Sequence, residues 1–184
     1  MDKIIRISIT GPESSGKSTL SVELQKRFDA VLVHEYARLH LENNGKAYTY
    51  NDVIKIAQNQ ILLEKEAIKS FDQKAGSDKK NRFVFFDTDL YVLKIWSELA
   101  FGKCESFILN HLANDAYDMH LLCKPDLPWV FDEFREHPEL EQRNFIYLHY
   151  LDAMQHQPKP WFEIYGDGST RLEMAEKAIQ SVFQ

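Results

Sequence analysis

Cysteine is nearly absent: the 184 residues include two, Cys104 and Cys123. So sparse a pair builds no disulfide framework, and no Cys-x-x-Cys or Cys/His cluster marks a zinc site. Two reduced, buried thiols are the expectation. Positive charge is also in short supply. Lys and Arg number 22 against 28 Asp and Glu, for a formal net charge of −6. Such a chain lacks the dense cationic face that nucleic acid or an anionic membrane surface requires. Seven Gly and six Pro exclude collagen-like and linker-dominated chains. No apolar run is long enough to span a bilayer, and Met1-Asp2-Lys3-Ile4 does not open a signal peptide. A cytoplasmic location is expected. There is no internal repeat and no low-complexity tract. What is present is an ordinary globular composition, 44% hydrophobic and 27% charged. At roughly 100–200 residues per domain, residues 1–184 are expected to form one domain with room for a small lid.

Periodicity places the elements. Ile4 to Thr10 is almost continuously β-branched, which reads as a buried strand. Gly11 to Ser18 is a Gly/Pro/Ser turn, and Leu20, Leu24 and Phe28 then recur every fourth residue, so a helix follows. Val31–Val33, Phe83–Phe86, Met119–Cys123 and Trp161–Tyr165 are four further short apolar strands. Helices are expected over about 51–71 with Asn51 as N-cap, over 89–99, within 101–114 after a break at Gly102, and over 140–154. The polar stretch 72–81, with Gly76, reads as a loop, and Thr170-x-x-Glu173 has the form of a capping box for a last helix. Five strands alternating with helices predict a three-layer α/β fold, a five-stranded parallel sheet with helices on both faces. Ligands of such sheets sit beyond the carboxyl ends of the strands.

After the first strand, Gly11-Pro12-Glu13-Ser14-Ser15-Gly16-Lys17-Ser18 fits G-x-x-x-x-G-K-[ST] in full, the P-loop pattern. Gly11 and Gly16 let the backbone turn tightly and aim several N–H groups at one point. The helix that starts at Lys17, Ser18 and Thr19 adds its positive end. Lys17 supplies a mobile cation for the β- and γ-phosphates, and Ser18 a hydroxyl for Mg²⁺. ATP and Mg²⁺ are the expected ligands, with Gly11, Glu13, Ser14, Ser15, Gly16, Lys17, Ser18 and Thr19 as ATP-binding residues. Three classes use such a loop: a small-molecule kinase, a GTPase switch, and a motor or remodelling ATPase. No guanine-reading Asn-Lys-x-Asp occurs after residue 100, and 184 residues leave little room for a motor.

A kinase also needs acids near an acceptor hydroxyl and arginines over the transferring phosphoryl group. The acids fall at strand ends: Glu35 in His34-Glu35-Tyr36-Ala37-Arg38, then Asp87 and Asp89 in Phe86-Asp87-Thr88-Asp89. An Asp that ends an apolar strand suits Mg²⁺ or its waters, which assigns Asp87 to the metal beside Ser18. Glu35 and Asp89 suit sugar hydroxyls, and Asp87 or Glu35 could take the proton of the attacking one. Asp89 equally suits a helix N-cap, and Glu35 a solvated helix start. Arg135 and Arg143 lie in a polar stretch with the composition of a lid, about residues 131–145. Arginines there would stabilise charge spread over the transition state, with salt bridges to nearby glutamates as the plainer alternative.

Taken in order, Gly11 to Ser18, Glu35-Tyr36-x-Arg38, Asp87-Thr88-Asp89 and Trp129-Val130-x-Asp132-x-Phe134-Arg135 resemble the ribosylnicotinamide kinase domain of bacterial NadR-type proteins, a P-loop kinase family. The resemblance spans nearly the whole chain and takes in Arg143 at the lid. It implies ATP-dependent phosphorylation of nicotinamide riboside on its 5′-hydroxyl, giving nicotinamide mononucleotide in NAD salvage. It implies Lys17, Asp87, Glu35, Arg135 and Arg143 as the catalytic group. Glu35, Tyr36, Arg38, Asp89 and Trp129 would bind the acceptor. The loop Gly166 to Arg171 would border the adenine through Asp167 and Arg171. The partner is then a small molecule rather than nucleic acid or membrane; the oligomeric state stays open. Two departures stand out. No His-x-Gly-His nucleotidyl-transfer motif occurs, so dinucleotide synthesis is not expected of this chain. His34 stands where the family pattern has Trp, with Tyr36, Trp96 and Trp129 as aromatic candidates to compensate. Nicotinamide riboside carries a fixed positive charge, which a site bearing Glu35, Asp87 and Asp89 would attract. A P-loop kinase for another nucleoside or small alcohol, and an NTP-binding regulator, are the alternatives.

Overall fold

A computed structural model describes residues 3–73, 81–114 and 117–183. Strands β1 (Lys3–Thr10), β2 (Val31–Val33), β3 (Asn81–Asp87), β4 (Met119–Cys123) and β5 (Trp161–Ile164) form one sheet. All neighbours pair in parallel, in the order β2-β3-β1-β4-β5. The helices are α1 (Lys17–Phe28), α2 (Tyr36–Asn44), α3 (Tyr50–Gln73), α4 (Leu90–Phe101), α5 (Ser106–Ala113), α6 (Leu140–Gln155) and α7 (Gly168–Phe183). The expected three-layer α/β architecture is the one observed.

The two-residue period of the strands sorts the faces. Ile5, Ile7, Ile9, Phe83, Phe85 and Leu121 turn one way, onto Leu20 and Leu24 of α1 and Ala175 and Ile179 of α7. Val84 and Phe86 turn the other way and pack with Ile68 and Phe71 of α3. Leu122 joins Tyr147, Tyr150 and Met154 of α6 on that face. Truncating one such core side chain to alanine typically costs about 2–5 kcal/mol. β1 runs between β3 and β4, with Ile9 beside Asp87 and Thr10 beside Leu122. The chain therefore leaves β1 where its neighbours on both sides also end, and the crevice opens there.

Three local expectations change. α2 follows the helix start weighed at Glu35, but its extent was not legible, because only Ala37 and Leu41 of its nine residues are buried. Thr49, rather than Asn51, caps α3: its Oγ1 accepts the Asp52 N–H at 3.3 Å, and the Asp52 carboxylate accepts the Thr49 N–H at 3.0 Å. That reciprocal pair is a capping box built with Asp. At α7 the cap is Asp167, which accepts the Thr170 N–H at 2.9 Å, not Thr170 with Glu173. The expected loop 72–81, with Gly76, lies outside the described residues except at its ends, where α3 and β3 reach Gln73 and Asn81. Both cysteines are free, Cys123 buried and Cys104 half-buried. Among the described residues no helix is long and apolar enough to cross a membrane.

Candidate functional site

The P-loop spans the step from β1 to α1. Gly11 has φ +133° and Gly16 φ +81°. A Cβ on Gly11 would stand 2.5 Å from the Cys123 carbonyl oxygen, and one on Gly16 2.8 Å from Leu127 Cδ1. Gly11 is thus required twice over, by dihedral and by its approach to backbone, and Gly16 by its dihedral, since the Leu127 methyl can move aside. Ser14 takes φ +55° without being glycine, backbone strain of the kind that collects at functional turns. The buried Ser15 hydroxyl donates to the Pro12 carbonyl at 2.7 Å, and Lys17 Nζ donates to the same oxygen at 2.8 Å. The lysine lies folded over the turn it would serve.

Beyond the sheet edge the P-loop residues from Gly11 to Thr19 form one wall of a cleft of about 1120 Å³. That volume accommodates a nucleotide beside a second small molecule. His34, Glu35 and Arg38 enter it from the β2–α2 junction, and Asp87 from the end of β3. Asp87 is buried, and its Oδ1 has no hydrogen-bond partner. Burial pushes the Asp87 carboxyl up, opposed by the Ser18 hydroxyl and the Lys17 charge. Burial likewise raises Glu35, with Lys17 opposing it and Asp87 adding to it. Lys17 therefore sits between two carboxylates that each need its charge.

Residues 131–145, expected as a lid, divide at Leu140. The part before it is irregular and folded over the cleft, and the rest is the start of α6. Glu13 of the P-loop accepts the Glu136 N–H at 3.0 Å and the His137 N–H. Arg135 donates to the Val130 carbonyl at 2.6 Å and reaches Ser14 Oγ at 3.4 Å. On the opposite bank Arg38 Nη1 donates to Asp132 at 2.8 Å, holding that carboxyl below its ordinary range. Lys46 pairs with Glu133 at 3.5 Å, and the Tyr48 hydroxyl donates to Glu136 at 3.0 Å. One strap of chain is thus pinned to both banks.

Several expected site residues lie elsewhere. Asp89 is fully buried and accepts from Ser8 Oγ, Thr10 Oγ1 and the Tyr91 and Val92 amides; it caps α4, and its oxygens are used up there. Tyr36 packs against the core formed by α2 to α5 rather than lining the cleft. Trp129 also stays out of the cleft lining, and its ring lies between two guanidinium groups, Arg135 at 5.8 Å and Arg143 at 5.4 Å. Arg143 is 3% exposed, behind that ring, and its Nε has no partner; it does not line the cleft. Arg171 is equally buried. It donates to the carbonyls of Gly166 (2.7 Å), Ser15 (2.8 Å) and Lys124 (2.9 Å) and to Asp126. It buttresses the P-loop from behind instead of meeting adenine, and Asp167 is spent on the α7 cap.

Other residues of the cleft went unforeseen. Tyr48 and Trp96, both in the cleft lining, form an edge-to-face pair with centroids 4.7 Å apart. Phe134, Phe145 and Tyr150 complete the aromatic lining. Trp96 was among the aromatic candidates; Tyr48 carried no local signal, since it precedes α3 in an unremarkable turn.

Residues 6–171 match the model of a family described as an AAA domain. The trifunctional NAD biosynthesis/regulator protein NadR of Salmonella typhimurium is 29% identical over 133 residues, 70% of this chain and 30% of that protein. The Escherichia coli NadR matches to the same extent. The chain thus spans under a third of the length of these curated relatives. Two NadR crystal structures, one in complex with NR and one with NAD and AMP-PNP, have a TM-score of 0.69 at 20% identity. They match over 96% of this chain and 50% and 49% of theirs. Deoxyadenosine kinase from M. mycoides has a TM-score of 0.63 at 15% identity, over 96% of this chain and 100% of its own. At these identities the likeness is one of fold.

Proposed function

We propose, on the premise that this chain belongs to the AAA domain family, that it is an ATP-dependent kinase acting on nicotinamide riboside. The observation that carries the reading is the charge of the cleft. Six carboxylates line it, Glu13, Glu35, Asp87, Asp132, Glu136 and Glu141, against three permanent cations, Lys17, Arg38 and Arg135. Lys17 and Arg135 stand at the P-loop, where phosphate would lie. The excess of acids favours an acceptor that is itself a cation and disfavours a nucleotide acceptor. Similarity to NadR, one structure of which holds NR, supports the choice.

In this reading the P-loop amides and Lys17 hold the β- and γ-phosphates. The unpartnered Asp87 Oδ1, next to Ser18, suits a hard cation. When bound, Mg²⁺ neutralises charge shared by the β- and γ-phosphates. Glu35 and Arg38 orient the ribosyl group, and Glu35 or Asp87 accepts the proton of the attacking hydroxyl. Their raised carboxyls make either a better base than an exposed one. Arg135, carried by the strap, closes on the transferring phosphoryl, and Trp129 and Arg143 back it. Residues 1–184 act as one kinase domain with the strap as its lid.

The test is a panel of acceptors with ATP and Mg²⁺, followed by ADP release. Nicotinamide riboside is expected to stimulate most. Release no faster than without acceptor overturns the assignment. A deoxynucleoside as the best acceptor establishes the second reading, which His34 in the Trp position and the full-length match to deoxyadenosine kinase favour. Slow, acceptor-independent hydrolysis with a protein partner marks the regulator.

A further inference from the structure

The N-terminus of α2 is capped from another helix. Glu35 holds the N-cap position, yet its side chain makes no cap hydrogen bond, and Glu is not among the residues preferred there. The first amide of the helix, Tyr36 N–H, donates instead to Gln60 Oε1 of α3 at 2.8 Å. Gln60 is 1% exposed. Its Nε2 donates to Glu64 Oε1 at 3.2 Å, one turn further along α3. Glu64 is also buried, and accepts from the Tyr117 hydroxyl at 3.0 and 3.2 Å. Neither Gln60 nor Glu64 lines the cleft. A buried polar line therefore ends on the residue pair that carries Glu35 into it.

The chemistry of the line dictates its sense. A carboxylate only accepts. While Glu64 is ionised, Gln60 must turn its NH₂ toward it, which leaves Oε1 for the Tyr36 N–H. A protonated Glu64 donates, and so favours the flipped amide, whose NH₂ then faces the Tyr36 N–H, donor against donor. We propose that Gln60 and Glu64 are positioning residues of the acceptor site: the Glu64 carboxylate sets the Gln60 amide, which caps α2 in place of Glu35 and leaves Glu35 free over the cleft. The proposal rests on the reading of Glu35 as an acceptor residue. Burial raises Glu64 to about 7; Asp89 at the start of α4 adds to this, and Gln60 and Tyr117 oppose it. None of these is a cation, and His120, 3.5 Å from Asp89 and packed against Tyr117, is the titratable side chain next beyond them. The device therefore works near neutral pH, with the acceptor site well ordered above that range and loosened below it.

The test combines amide NMR with kinetics on the full chain. The Tyr36 amide signal is expected to move in one step near pH 7. The step is absent in Glu64→Gln, which cannot titrate and, like the protonated acid, presents both a donor and an acceptor to Gln60. Gln60→Leu shifts the signal at every pH and raises its exchange rate. In turnover, the wild-type acceptor KM is expected to rise about tenfold between about pH 8 and about pH 6, the worth of one hydrogen bond. The ATP KM stays within about twofold, because the phosphate end is untouched. In Glu64→Gln that rise is lost, and any remaining slope belongs to Glu35 and Asp87, whose carboxyls are also raised by burial. A Tyr36 amide indifferent to pH and to both substitutions overturns the positioning role whatever the acceptor is. A wild type that turns over no acceptor overturns the functional reading instead, and the NMR titration still decides this one. Should Gln60→Leu fail to fold, Glu64→Gln carries the test alone.

Discussion

At the phosphate end of the cleft, Arg171 donates to oxygens of Ser15, Lys124, Asp126 and Gly166 from a fully buried position. At the acceptor end, Arg38 and Lys46 reach Asp132 and Glu133 through water-exposed side chains. The two ends hold comparable numbers of charges but store very different free energies. A buried guanidinium with every nitrogen hydrogen-bonded is costly to disturb, because any oxygen it abandons is left unsolvated. Exposed ion pairs contribute about 0–1 kcal/mol each. The first arrangement suits a cradle that must already have its shape when a phosphate arrives. The second suits a strap that must open for substrate and close again. Glu13 joins the two: it belongs to the rigid turn, yet it accepts the strap's amides at Glu136 and His137.

Three substitutions probe this contrast. Arg171→Leu strikes the fixed end and is expected to cost roughly 3–5 kcal/mol of stability, read by urea unfolding. A loss below about 1 kcal/mol would show the cradle to be no more firmly held than the rim. Arg135→Ala acts at the boundary. It is expected to lower kcat about a hundredfold or more with little change in ATP KM, since the charge it stabilises develops only in the transition state. An unchanged kcat removes Arg135 from the lid. Lys46→Ala touches only the exposed rim, and unfolding should shift by less than about 0.5 kcal/mol. A larger loss would mean that the strap is anchored as firmly as the P-loop.

The parts that were legible share a property. The P-loop is readable because Gly11 and Gly16 hold dihedrals that side chains rarely adopt, and Gly11 also lies against backbone that leaves no room for a Cβ. The strands are readable because Phe83 to Phe86 and Met119 to Cys123 are buried on both faces and, His120 apart, carry apolar side chains. Asp87 follows from being the first polar residue after such a strand. Asp89 could be read as cap or ligand from the same residues. Only the arrival of Ser8 and Thr10 from β1 decides for the cap. Tyr48 is the opposite case: nothing nearby distinguishes it, and its meaning comes from Trp96, forty-eight residues on, and from Glu136 in the strap.

The arginines show where the boundary lies. By itself the sequence determined a parallel α/β sheet with a phosphate cradle at the end of its first strand. Those features depend on local backbone geometry and on short-range alternation of polarity. It did not determine which arginine faces the cleft. Arg135 and Arg143 were expected over the phosphoryl group and Arg171 beside the adenine. Tertiary packing puts Arg135 on the strap, Arg143 behind Trp129 and Arg171 beneath the P-loop. A guanidinium at the end of a long side chain can serve a ligand, an aromatic face or a ring of carbonyl and carboxylate oxygens equally well, and the groups that choose among these come from distant segments of the chain.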